Sequence, residues 1–144
     1  MSEALNVGVL LFLPYRAMET RVFEGLAAAG FADLTPAQAR VLQRIAPGGS
    51  RLTDLAAQAA ITKQSAGFLV DQLEGGGYVE RVPDPADGRA RLVQIAERGR
   101  RSVETSRGIV AQVEAAWTAH LGERRMAQLR RILADLREVT DPWR

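Results

Sequence analysis

The chain has 144 residues, 47% of them hydrophobic and 25% charged, the balance of one folded domain rather than a disordered tail or a fibrous repeat. It has no cysteine, which excludes disulfides, thiolate catalysis, thiol redox sensing and cysteine-ligated zinc, and the one histidine, His120, gives metal chemistry little to build on. The net charge of +2 permits contact with a polyanion without demonstrating it, and between Arg51 and Arg91 five basic residues stand against six acidic ones. Any affinity for a polyanion must therefore come from placement.

The longest apolar run, Val7 to Leu13, falls far short of the roughly 20 residues that cross a bilayer. The first residues lack a basic region and an Ala-x-Ala site, so the sequence predicts a cytoplasmic protein with no membrane contact. From Leu5 to about Ala29, Leu10, Leu11, Met18, Val22, Phe23 and Leu26 recur at helical spacing. Pro14 is expected to kink this helix or end its first part, and Gly30 to cap it. Thr35-Pro36 predicts an N-cap with proline in the first turn, opening a short helix with Val41, Leu42 and Ile45 on one face. Thr53 is expected to cap the next short helix, which carries Leu55 and Ala56. Ala59-Ala60-Ile61 then makes a tight connection to a second cap at Thr62. The helix after it runs from Lys63 to Glu74, with Ala66, Leu69, Val70 and Leu73 on one face, and Gly75-Gly76-Gly77 stops it.

Beyond the glycines the period changes to two. Tyr78–Val82 and Arg91–Ile95 read as strands, joined by an extended loop over Pro83–Ala90 whose tip is Asp87-Gly88-Arg89. Helix returns from Glu97, with Val103, Ile109, Val110, Val113 and Trp117 apolar, and breaks near Leu121-Gly122. The last helix carries Met126, Leu129, Ile132, Leu133, Leu136 and Val139 in a stripe for burial within the monomer or against a partner.

Two short helices joined by a tight turn and followed by a hairpin describe a winged helix-turn-helix, in which the second helix lays its first turn on base edges in the DNA major groove. Lys63, Gln64, Gly67, Phe68 and Asp71 lie opposite Leu69 and Leu73. On that face Gln64 suits adenine, Lys63 a guanine or a phosphate, and Thr62 and Ser65 phosphates beside the helix dipole. The plainer reading makes Thr62 and Ser65 helix caps and leaves Lys63 and Gln64 solvated. Arg89, oriented by the Asp87 carboxylate, is placed to enter a minor groove, and Arg81 and Arg91 at the base of the hairpin to meet phosphates. Arg51 and Thr53, at the front of the first helix of the pair, complete the candidate DNA-binding set.

From Leu52 to about Gly99 the sequence resembles the MarR family of bacterial transcription regulators. The likeness is carried by Leu52-Thr53-Asp54-Leu55-Ala56, Ile61-Thr62-Lys63-Gln64-Ser65, Leu69 through Arg81, and Asp84-Pro85-Ala86-Asp87-Gly88-Arg89. The resemblance implies an obligate homodimer built from the terminal helices, a pseudo-palindromic operator, and Arg89 as the wing's minor-groove contact held by Asp87. It also implies a small phenolic or anionic effector bound between the dimer helices and the DNA-binding lobe, where Tyr15, Arg16 and Phe23 are the candidate lining; their ordinary reading is core or surface. Three positions depart from the pattern. Phe68 stands where the family often has a basic residue, trading a phosphate or base contact for an apolar one such as a thymine methyl. Ala96 replaces a helix-capping threonine, and Pro14 is unusual in the first helix.

Gly75-Gly76-Gly77 follows a helix, whereas phosphate-binding loops precede one. His120 has no second histidine or cysteine to complete a metal site. No nucleophile, base and oxyanion donor assemble, so neither enzyme nor cofactor is expected. The expectation is an α+β, mainly α protein: residues 1–34 an N-terminal dimerisation helix, 35–96 the winged helix-turn-helix, 97–144 the C-terminal dimerisation helices. The predicted function is a DNA-binding transcriptional regulator, a ligand-responsive repressor. Its rival is a winged helix used as a protein-interaction module with little DNA specificity.

Overall fold

The structure, a computed structural model, describes residues 3–143. In chain order these form α1 (Val7–Ala28), α2 (Pro36–Leu42), α3 (Leu52–Gln58), α4 (Lys63–Gly75), β1 (Val79–Asp84), β2 (Asp87–Ile95), α5 (Glu97–Leu121) and α6 (Glu123–Thr140). The fold is mainly helical with a small antiparallel sheet, as the sequence predicts.

Local chemistry sets most of the boundaries. The Asn6 side chain caps α1 by accepting the Val9 amide, and Thr35 and Gln38 form a reciprocal capping box on α2 with Pro36 in its first turn. The ends of α1, α3 and α4 share one device. The Phe31, Ile61 and Tyr78 amides reach back to the Leu26, Ala56 and Leu73 carbonyls at 2.8, 3.0 and 2.9 Å, and the residue before each of them has positive φ. In two cases that residue is Gly30 or Gly77; in the third it is Ala60, at φ 56°. The tight turn of the helix pair is thus made by an alanine in a conformation that favours glycine.

Two expectations are corrected here. Pro14 neither ends nor divides α1, which runs through it for 22 residues. Proline leaves the Leu10 carbonyl without its usual donor, but Leu10 through Tyr15 are exposed, so that carbonyl is not buried without a partner. Thr53 is not a cap: Arg51 occupies that position without a side-chain cap bond, and Thr53 is exposed in the first turn of α3.

The core lies beneath the winged helix. Leu26 from α1 meets Val41 and Leu42 of α2, Leu55 of α3, Val70 and Leu73 of α4, and Tyr78, Val79 and Val93 of the hairpin. Ile45, just past α2, joins them. Ser50 bridges to Val93, pinning the strand before α3 onto the sheet. The first turn of α5 presses so closely on this core that a Cβ at Gly99 would collide with the Tyr78 carbonyl oxygen. By contrast α6 buries none of its residues, and Ile132, Leu133, Leu136 and Val139 all face outward.

Candidate nucleic-acid interface

The first turn of α4 is built from its cap. Thr62 Oγ1 accepts the Ser65 amide at 3.0 Å, and the two hydroxyls bond to each other at 2.9 Å. Such a cap stabilises a helix by ~1 kcal/mol. Ala66, Val70 and Leu73 are buried while Lys63, Gln64 and Phe68 are exposed, so the apolar stripe anchors α4 and turns its polar first turn to solvent.

The wing differs from the extended loop that the turn-rich composition suggests. Its strands run almost to the tip, leaving only Pro85-Ala86 in the turn, with Asp84 facing Asp87 across it. The buried Asp84 carboxylate closes that turn by accepting the Ala86 amide at 2.9 Å and the Arg51 guanidinium at 2.8 and 3.1 Å. The Ala86 amide and then Arg51 hold the Asp84 carboxyl below its usual range. Between the pairs Pro83–Arg91 and Asp84–Asp87 the register shifts, so Gly88, Arg89 and Ala90 bulge out of the ladder. Arg89 therefore sits beside the tip, on the start of β2. Asp87 contributes by accepting the Arg89 backbone amide at 3.1 Å, fixing the main chain and not the guanidinium as the sequence suggests.

Two arginines of the candidate DNA-binding set, Arg81 and Arg51, are committed within the protein. Arg81 places one terminal nitrogen on Asp71 and the other on Glu74, each at 2.8 Å, bracing β1 against the last turns of α4. Arg51 ties the front of α3 to the turn of the wing. Sequence alone gives no sign of either pairing, because the partners lie 10 and 33 residues away. Lys63, Arg89 and Arg91 have no carboxylate within ion-pair distance among the described residues. The uncommitted cations of the helix pair and the hairpin thus stand at the start of α4 and along β2, with Arg44 a further one just past α2.

A family model described as the MarR family matches residues 32–90, from the turn after α1 to the bulge of the wing. Over 139 residues the chain is 26% identical to the HTH-type transcriptional regulator FarR of Neisseria gonorrhoeae, covering 96% of this chain and 92% of that protein. It is 30% identical over 92 residues to the exopolysaccharide II synthesis transcriptional activator ExpG of Rhizobium meliloti, of whose length the chain spans only 47%. The structure superposes on the reduced form of MarR from Escherichia coli with a TM-score of 0.76, at 26% identity, covering 94% of this chain and 98% of that one. Over its winged helix the chain is similar to the MarR family.

The winged helix is joined to its frame by a residue that sequence reading passes over. Arg98, in the first turn of α5, donates to the Gly76 carbonyl at the end of α4 at 2.7 Å and to the Gly30 carbonyl after α1 at 3.1 Å. It also pairs with Asp33 at 3.0 and 3.1 Å and lies over the Tyr78 ring at 4.4 Å. The Tyr78 hydroxyl donates to Asp33 at 2.6 Å. Burial first, then that bond, pushes the Tyr78 phenol up to about 12, and the same bond, with help from Arg98, lowers the Asp33 carboxyl.

The expected effector lining does not come together. Tyr15 is exposed with its hydroxyl on Glu19, and Arg16 lies over the Phe12 ring. Only Phe23 borders a hollow, of about 380 Å³, with Glu19, Phe31 and Leu34. A larger one, of about 440 Å³, opens between α2 and α5, lined by Leu42, Ile45, Ile95, Val103, Val110 and Arg107 among others.

Proposed function

We propose that the protein is a homodimeric transcriptional repressor of the cytoplasm that grips a pseudo-palindromic operator with two winged helices. Residues 35–96 form the DNA-binding region, and residues 1–34 and 97–144 supply the dimer frame. The observation that carries this reading is one of placement: the capped, polar first turn of α4 and the bulged Arg89 are solvent-facing and free of internal ion pairs. Lys63 and Gln64 enter the major groove, Thr62 and Ser65 lie along its phosphates, Arg91 meets the backbone, and Arg89 enters the minor groove. Arg51, Arg81 and Asp87 hold the wing in position, and Thr53 is left as an accessory phosphate contact from α3.

Outward apolar residues on both terminal helices support the dimer, whose two recognition helices would fall about 34–36 Å apart on one face of the duplex. Repression needs no further surface, since a dimer seated on a promoter excludes polymerase by occupancy. The hollow between α2 and α5 supports an effector response. Its apolar walls and Arg107 suit a small aromatic anion, which releases DNA to the extent that it binds the DNA-incompetent arrangement more tightly.

The test is binding to duplex fragments from upstream of the protein's own coding region, titrated against salt. A preferred fragment, with affinity falling steeply as salt rises, supports the reading. No preference over random duplex at moderate salt overturns it and leaves a protein-interaction module. A reporter driven by the preferred fragment, assayed with and without the protein, tests the sign of regulation.

A further inference from the structure

Phe68 is 63% exposed, and between Tyr15 and Ile132 it is the sole large apolar side chain left facing solvent among the described residues. The other exposed ones crowd onto α1 and Leu5 just before it, α6, and Trp143 after it. Phe68 lies one turn after Gln64, on the face of α4 opposite the buried Ala66, Val70 and Leu73. A ring kept there contributes nothing to the core, and the position is open to lysine, arginine or glutamine at no cost in packing. Its neighbour Gly67 is not forced by contact with α3 either, since an added Cβ would meet only Leu52, at an ordinary 3.6 Å. Glycine at that position keeps the helix slim beside the ring.

We infer that Phe68 is a specificity-determining residue that packs against the 5-methyl group of a thymine, within about two base pairs of the base read by Gln64. The inference rests on α4 lying in the major groove as proposed above. In that groove base edges offer hydrogen-bond donors, acceptors and one apolar group, the thymine methyl. A phenyl ring makes no hydrogen bond and so gains from the methyl alone. The four residues from Gln64 to Phe68 rise ~6 Å along the helix axis, close to two base-pair rises of ~3.4 Å, which sets the spacing from Gln64. The side-chain amide of Gln64 matches adenine bidentately. Together the two residues select A·T pairs at their own two positions of the half-site.

The experiment selects preferred duplexes from a random pool with the full-length protein, then replaces each thymine singly by deoxyuridine, which removes the methyl and keeps the base pairing. In the wild-type protein one thymine per half-site is expected to be sensitive, its replacement weakening binding about fourfold, the value of one buried carbon. In Phe68→Ala that sensitivity disappears while the melting temperature and the response to every other thymine are retained. A preferred sequence with no sensitive thymine, or equal sensitivity in Phe68→Ala, overturns the inference and leaves the regulator reading intact. Failure to select any sequence overturns both.

Discussion

Because Gly88, Arg89 and Ala90 have no partners on β1, Arg89 leaves the ladder, and the bond from its amide to Asp87 sets the direction of its backbone. Its side chain supports nothing else in the fold. Arg89→Ala is therefore expected to weaken operator binding by about 1 to 3 kcal/mol at unchanged melting temperature. Unaltered affinity would remove the wing from recognition. Arg81 and Arg91 separate two roles that their sequence positions leave merged. Arg91→Ala should lower the slope of log affinity against log salt by about one, as a lost phosphate contact does. Arg81→Ala should leave the slope unchanged, because its guanidinium is already neutralised by Asp71 and Glu74. A reduced slope in Arg81→Ala would return it to the phosphates. Tyr78 gives a pH signature. Its phenol titrates near 10 in the unfolded chain and near 12 when folded, so the folded state holds the proton longer. The stability this contributes is complete below pH 10 and drains away as pH rises to about 12. Urea midpoints measured at pH 9, 10 and 11 should fall more steeply for wild type than for Tyr78→Phe.

At the scale of elements, α5 begins without help. Ala96 occupies its N-cap with φ −85° and ψ 176°, the extended geometry of a capping residue, but no side-chain oxygen is there to accept an amide. Ala96→Ser should raise stability by about 0.5 to 1 kcal/mol, read from denaturant midpoints, while Gly99→Ala, three residues on, should lower it sharply through its clash with the Tyr78 carbonyl. The same elements explain what the sequence reveals. Caps and stops are local chemistry, so Thr35-Pro36, Thr62 and Gly75-Gly76-Gly77 can be read directly, and with them the helix pair and its exposed face. The wing was harder to read. Pro83, Gly88 and the paired aspartates resemble a loop in composition, but a two-stranded ribbon tolerates proline on an edge and absorbs Gly88–Ala90 in a bulge. Thr53 loses its expected cap role because Arg51, one residue before α3, takes that position. The Arg98 joint is invisible in sequence: its partner Asp33 is 65 residues away, and one arginine among many carries no mark of the carbonyls it will find.

For the whole molecule, the unfinished surface is at the chain's two ends. Leu10, Leu11, Phe12 and Leu13 on α1, and Ile132, Leu133, Leu136 and Val139 on α6, are all exposed, and the α6 set keeps spacings of one, three and three along one helical stripe. A winged helix alone grips one half-site. Two joined rigidly turn the second contact into an intramolecular step, raising affinity about 10²- to 10⁴-fold where the spacing fits. The Arg98 joint bears on that rigidity, because it fastens the end of α4 to α5 and to the turn after α1. Leu136→Glu places a carboxylate in the α6 stripe without touching the core. It should convert a dimer into a folded particle of 15.7 kDa by sedimentation, with an unchanged circular dichroism spectrum. Operator binding should fall by roughly the avidity factor, while weak binding to an isolated half-site stays as it was. A variant that still sediments as a dimer and still binds the operator tightly would move the interface off α6.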